Sequence, residues 1–275
     1  MKTLFIHHNE SKLAIVKFGN GVKVMICFHG YGLDKNSFLQ FEEKYGKEYT
    51  MYSFDSFAHG KSQYGNGENA LELEEWKNYL LNFLDQEKIE KFSILSFSMG
   101  GKIALCTLEL FYSRVEKMIL IAPDGIKTNF WYNATTYPGI LNKAFRYTVF
   151  YPSIYFNMIE ILKFLRLSDK SLLKFSEFEM NTATKRVKVY FAWMIYRNFR
   201  PNLEHIIQFS TERKIGFEFY TGKYDRIIQT KHIDAFVNRL TFVKHIEFEC
   251  GHTNLMKQVS QISNSTINKL CQKYF

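Results

Sequence analysis

Phe92-Ser93-Ile94-Leu95-Ser96-Phe97-Ser98-Met99-Gly100-Gly101 carries the clearest mark of the fold in this chain. Phe92–Leu95 reads as a buried strand, and Met99–Phe111, rich in Ala, Leu and Ile, reads as a helix that begins at once. Ser98 therefore falls on a sharp strand-to-helix turn, where small neighbours let strand and helix approach closely. Such a turn exposes a hydroxyl at a helix N-terminus, beside free N–H groups and the positive end of the helix dipole. The spacing is that of a nucleophile elbow, G-x-S-x-G, with Ser96 standing in the first glycine position. A plain helix N-cap would use the same serine, so the flanking chain has to separate the two.

Upstream, the apolar run Val22–Phe28 reads as a buried strand that leads into His29-Gly30-Tyr31-Gly32. A loop there brings backbone N–H groups beside the elbow, and the N–H groups of Tyr31 and Met99 are the expected oxyanion hole. His29 reads as a residue that orders this loop. Downstream, Glu247-Phe248-Glu249-Cys250-Gly251-His252 puts a histidine just past the last predicted strand, where a general base would stand. The carboxylate that fixes its tautomer is read as Asp225, in Tyr220-Thr221-Gly222-Lys223-Tyr224-Asp225, beside the His252 loop. Asp124, before Gly125, is the rival; both keep the order Ser, Asp, His.

The wider pattern is α/β. Thr3–His7, Leu13–Phe18 and Thr50–Phe54 read as further strands, with Gly19-Asn20-Gly21 as a hairpin signal after the second. Ser37–Tyr45 and Leu71–Asp85 read as helices, and Val115–Ala122 as a strand. The rhythm resumes with Ile215–Tyr220, His232–Arg239, Phe242–Phe248 and Leu255–Cys271, alternately strand and helix. This alternation implies βαβ units and a mostly parallel central sheet flanked by helices. Between them, residues 124–210 are helical and aromatic, with twelve Lys or Arg against six Asp or Glu. They are expected to form a helical cap inserted after the sixth strand, leaving 1–123 and 211–275 as the core.

Five motifs now stand in order: His29-Gly30, Asp55-Ser56-Phe57-Ala58-His59-Gly60-Lys61-Ser62, Ser96-x-Ser98-x-Gly100-Gly101, Gly222-Lys223-Tyr224-Asp225 and Gly251-His252. On these the sequence resembles the α/β-hydrolase superfamily, in particular its capped esterase, lipase-like and carbon–carbon-bond hydrolase members. The resemblance covers Thr3 to Ala122 and Ile215 to the C-terminus, with Ala58 where these enzymes usually carry glycine in a loop read as structural. It implies acyl transfer to water: Ser98 attacks a carbonyl, His252 takes its proton, and the acyl-enzyme is hydrolysed, with no metal or organic cofactor. The expected substrate is a carboxylic ester or thioester of a small or medium apolar acyl group. Carbon–carbon-bond hydrolysis, acyl transfer and non-catalytic ligand binding on the same scaffold are the alternatives.

The bulk numbers narrow the rest. With 275 residues, 46% hydrophobic and 23% charged, the chain is an ordinary globular sequence, and 27 Phe with 17 Tyr demand an aromatic-rich core or cavity. The net charge of +9 comes without a helix-turn-helix, RNP or zinc-finger signature, so nucleic acid is not an expected partner. No run of 18 apolar residues occurs, so no stable membrane insertion is expected. Cys27, Cys106, Cys250 and Cys271 form no C-x-x-C pair and no zinc-ligand cluster, which fits a reducing, cytoplasmic compartment. The expected partner is a small ester-like molecule, with room for a homodimer.

Overall fold

The computed structural model describes residues 2–127, 130–137, 139–165 and 170–263. It divides into two compact units, residues 1–65, 72–127 and 199–275 forming the first and 66–71 with 128–198 the second.

The first unit is built on eight strands in the order β1-β2-β4-β3-β5-β6-β7-β8. These are β1 (Lys2–His8), β2 (Ser11–Phe18), β3 (Lys23–Phe28), β4 (Tyr49–Phe54), β5 (Phe92–Phe97), β6 (Val115–Ile121), β7 (Gly216–Gly222) and β8 (Val243–Phe248). Only β1–β2 and β2–β4 pair antiparallel; every pair from β4 to β8 is parallel. Parallel strands covered on both faces need continuous apolar sequence. Accordingly all six residues of β5 are buried, as are the last four of β3, β4, β6 and β7. The chain runs outward from β3 to β4 on one side and returns to β5 on the other. That reversal is the switch point of an open α/β sheet, where a crevice opens beyond the strands' carboxyl ends.

A 3₁₀ helix, Lys35–Phe41, runs into the short α1 (Glu42–Tyr45); α2 spans Leu73–Gln86 and α3 Gly100–Phe111. The expected single helix over Ser37–Tyr45 thus begins as a 3₁₀ turn, capped by Asp34, whose side chain accepts from Asn36 N in a capping box with Ser37. α2 buries Trp76, Tyr79, Leu80, Phe83 and Leu84, a helical stripe, and keeps Glu74 and Glu75 at its positive end. Trp76 Nε1–H finds the Thr107 hydroxyl on α3 at 2.9 Å, so the large indole is buried without an orphaned donor.

The glycine pair at Gly19 and Gly21 does not turn a hairpin. β2 pairs with β1 and β4, and β3 lies on the far side of β4. A Cβ on Gly21 would sit 1.9 Å from the Glu48 carbonyl carbon, so the glycine is there for close backbone approach. The hairpin joins β1 to β2 instead, with Asn9 at φ +50. Val22 precedes the strand and is solvent-exposed.

The second unit is helical: α4 (Phe130–Thr136), α5 (Ile140–Phe150), α6 (Pro152–Phe164), α7 (Lys170–Met180) and α8 (Ala183–Ile195). Val149, Tyr190 and Met194 form its core, with Phe145 packed against them. The buried Arg186 guanidinium caps the ends of two helices, α5 and α7, donating to Val149 O and Met180 O at 3.0 Å each. Residues 66–71 belong here because Glu68 accepts from the Tyr190 hydroxyl at 2.9 Å and from Arg197 through its carbonyl at 2.8 Å. The first unit resumes at 199 and includes α9 (Leu203–Glu212), whose Phe209 stacks on Tyr112 at 4.6 Å. α10 (Lys231–Val237) and α11 (His252–Gln261) complete it. The remainder of the helix expected to Cys271, from residue 264 on, lies outside the described residues.

Candidate active site

Ser98 sits between β5 and α3 with φ +51, in the left-handed region that side chains other than glycine rarely adopt. The surrounding backbone holds it there. Ser98 N–H donates to Ile121 O at 3.0 Å, and Ser98 O accepts from Gly101 at 2.7 Å and Asp124 at 2.9 Å. Strand and helix meet closely because the contact is glycine: a Cβ at Gly100 would lie 2.0 Å from Phe28 O, and one at Gly101 2.6 Å from Pro123 Cα. The N-cap of α3 is Met99 without a side-chain cap bond, so the Ser98 hydroxyl is not spent on capping. Ser96, in the first motif position, is fully buried within β5.

His252 opens α11, just past β8. Its Nε2 lies 2.9 Å from Ser98 Oγ, and its Nδ1 lies 2.6 Å from Asp225 Oδ2. The structure therefore brings together the three side chains singled out in the sequence, from positions 98, 225 and 252. Asp225 is almost wholly buried, and its other oxygen accepts from the N–H groups of Ile227 and Ile228 at 2.8 Å each. With the carboxylate fixed from both sides, Nδ1 must be the donor and Nε2 the acceptor facing the serine. The His252 ring rests against Phe97 at 4.9 Å between centroids, a neighbour the sequence does not announce. The Asp225 loop is tied to the His252 loop through Tyr224 N–H to Cys250 O at 3.0 Å, and Gly222 leaves room for that carbonyl. Burial and the Asp225 charge push the Cys250 thiol up. Asp124 instead turns its carboxylate onto its own loop, accepting from Gly125 N at 2.8 Å.

On the other side of Ser98 lies the loop after β3. A Cβ on Gly30 would stand 3.1 Å from the Ser98 Cβ, which places the Gly30–Tyr31 backbone against the serine. Two histidines lock this loop to the one after β4. His29 Nε2 accepts from Ser56 N at 3.0 Å, while His59 Nε2 accepts from Gly32 N at 3.2 Å. Each ring's Nδ1 faces a carbonyl, Gly30 O at 2.7 Å and Phe57 O at 3.1 Å, so each ring is a neutral clamp. A buried ion pair crosses the same two loops: Lys35 Nζ lies 2.8 Å from Asp55 Oδ2. Asp55 also accepts from the N–H groups of Lys35 and Lys61, and Gly60 at φ +52 has no room for a side chain beside it. Lys35 carries no sequence signal for this role; a lysine in a polar turn reads as surface.

Among the described residues no group of three or more His, Cys, Asp or Glu could hold a metal ion, and no helix is long and apolar enough to cross a membrane. Cys27, Cys106 and Cys250 are free and buried, and burial raises the thiols of Cys27 and Cys106.

A family model described as "alpha/beta hydrolase fold" matches residues 23–164. The protein named "Putative esterase/lipase 2" of Mycoplasma pneumoniae is 27% identical over 99 residues, 36% of this chain and 37% of that protein. The chain is thus matched to little more than a third of that relative's length. Among solved structures, a thermophilic esterase from Thermogutta terrifontis superposes with a TM-score of 0.67 at 17% identity, covering 99% of both chains. An esterase from Exiguobacterium antarcticum gives 0.63 at 17% identity, again over 99% of each chain. These two likenesses speak for the fold.

Proposed function

The chain belongs to the α/β-hydrolase fold family, and from that membership we propose that it is a serine hydrolase of carboxylic esters or thioesters with small or medium apolar acyl groups. The observation that carries this reading is one unbroken line of hydrogen bonds, from Ser98 Oγ through His252 to the buried Asp225. Each group meets the requirement of its role. Ser98 attacks the carbonyl carbon while His252 Nε2 takes the hydroxyl proton, and Asp225 holds Nδ1–H and balances the imidazolium that forms. The oxygen of the tetrahedral intermediate faces the backbone N–H groups of Met99 and Tyr31. An oxyanion donor of this kind supplies about 3 kcal/mol of transition-state stabilisation. His252 then returns the proton to the leaving alkoxide or thiolate, and the same base activates the water that releases the acid.

The helical insertion is assigned the part of a cap that selects the acyl group, an assignment supported by its aromatic composition. The free buried thiols support work in a reducing, cytoplasmic compartment. The test is labelling with a fluorophosphonate, comparing native protein with Ser98→Ala, together with turnover of p-nitrophenyl esters of increasing acyl length. Labelling confined to the native protein and a maximum at short or medium chains are expected. A folded native protein that neither labels nor turns over any ester would overturn the proposal.

A further inference from the structure

The helical unit carries a surface that the chemistry at Ser98 does not use. Among the described residues, thirteen of the seventeen large apolar side chains that are exposed lie between 137 and 187. Scattered exposed apolar residues need no explanation, but a concentration does. On α6 and its C-cap, Ile154, Met158, Ile161 and Leu165 recur at steps of four, three and four, which puts them on one stripe. They are 49–57% exposed, whereas Tyr155 and Ile159 on an adjoining side are buried. A helix that is apolar on both faces is ordinarily enclosed; this one presents its outer stripe to solvent. Ile140 and Tyr147 on α5 are exposed as well.

Charge decides what fits there. Residues 66–71 and 128–198 hold ten Lys or Arg against five Asp or Glu. Lys143 lies one helical turn from both Ile140 and Tyr147, and Arg146 one turn from the exposed Phe150. Both basic residues are exposed, Arg146 also reaching Glu68 at 3.4 Å. An isologous pairing of two copies through this face would set bases against bases. On α6 itself Glu160 and Lys163 pair at 2.7 Å and cancel, so the bases that accompany exposed apolar side chains are those of α5. Exposed apolar side chains in the company of bases are instead complementary to an anionic lipid surface, with the side chains in the acyl boundary and the cations among the head groups. The 13 residues of α6 span about 20 Å. This is short of a bilayer core of roughly 30 Å, so the helix would lie in the plane of the interface.

We propose that the α5–α6 face docks this protein peripherally on anionic lipid bilayers. The proposal does not depend on the hydrolase reading. Its test is co-flotation of the full chain with phosphatidylcholine vesicles, with and without phosphatidylglycerol. Binding is expected only with the anionic lipid and weakens with added salt. Lys143→Gln and Arg146→Gln each reduce it about fivefold. An Ile154→Ser, Met158→Ser, Ile161→Ser variant loses flotation while its thermal melt and its labelling by fluorophosphonate stay at the native level. Ser98→Ala floats like the native protein, so a silent active site would leave this result readable. Absence of flotation, or flotation that the triple variant retains, overturns the proposal. So does a native dimer in light scattering that the triple variant converts to monomer, because the face then belongs to a second copy.

Discussion

Replacing Asp225 by asparagine isolates the tautomer on which the proposed chemistry depends. The carboxylate accepts three hydrogen bonds: two from backbone N–H groups at 2.8 Å through Oδ1 and one from His252 Nδ1 at 2.6 Å through Oδ2. An amide has one acceptor oxygen and one donor nitrogen. If the oxygen kept to the histidine, two half-buried N–H groups would face an NH₂ group, at about 1 kcal/mol each. If it keeps to Ile227 and Ile228, only the histidine contact is lost. The second orientation therefore wins, and the fold is retained. His252 must then present a bare Nδ1 to the amide and carry its proton on Nε2, where it donates to Ser98 instead of accepting from it. A base in the wrong tautomer costs about 10⁴ in kcat in the Ser-His-Asp enzymes where this exchange serves as the reference case. At 1.36 kcal/mol per decade that is about 5.4 kcal/mol of activation free energy. The assay is steady-state turnover of a soluble p-nitrophenyl ester, with the urea midpoint measured in parallel. A fall below tenfold in a variant of native stability refutes the role given to Asp225.

Ser98→Gly is expected to be more stable than Ser98→Ala by about 1 kcal/mol, since only glycine accepts φ +51 freely; urea melts that rank them the other way would remove the strain from the elbow. Lys35→Met leaves the buried Asp55 carboxylate without its cation and should cost about 3 kcal/mol in urea unfolding; the added Asp55→Asn change recovers part of it, and strict additivity would show that the pair is not coupled. Lys44, which donates to Val259 O at 2.6 Å, has its pKa lowered to about 8, chiefly by burial and further by Lys117, with Glu218 opposing. Between pH 8 and the ordinary lysine range the unfolded chain binds the extra proton, so stability rises with pH across that window; Lys44→Met should lose this rise, which urea midpoints at stepped pH will reveal.

The parts of the fold visible in the sequence are those where packing leaves few residue types. β5 and α3 are mostly apolar because both are largely enclosed, and the glycines at 100 and 101 mark a contact with no room for a side chain. The residues at 98, 225 and 252 were marked by the strand ends before them, since loops after parallel strands gather at one edge of the sheet. Gly19-Asn20-Gly21 misled because a hairpin turn and a close backbone crossing ask for the same residue. Lys35 stayed hidden for a different reason. Its partner Asp55 is twenty positions away, and only the folded loops make a buried cation necessary.

The crowding around the elbow also determines where a lineage built on this scaffold can diverge. A methyl group at Gly30 would come within 2.8 Å of the Phe97 ring, and those at Gly100 and Gly101 would collide with main-chain atoms of neighbouring loops. In a saturation library selected for folding, these three columns stay empty of everything but glycine. The outward positions of α6, 49–57% exposed, carry no such steric limit on folding. Folding thus constrains the elbow far more tightly than the outer face of the helical unit, and sequence drift is expected to fall on the second.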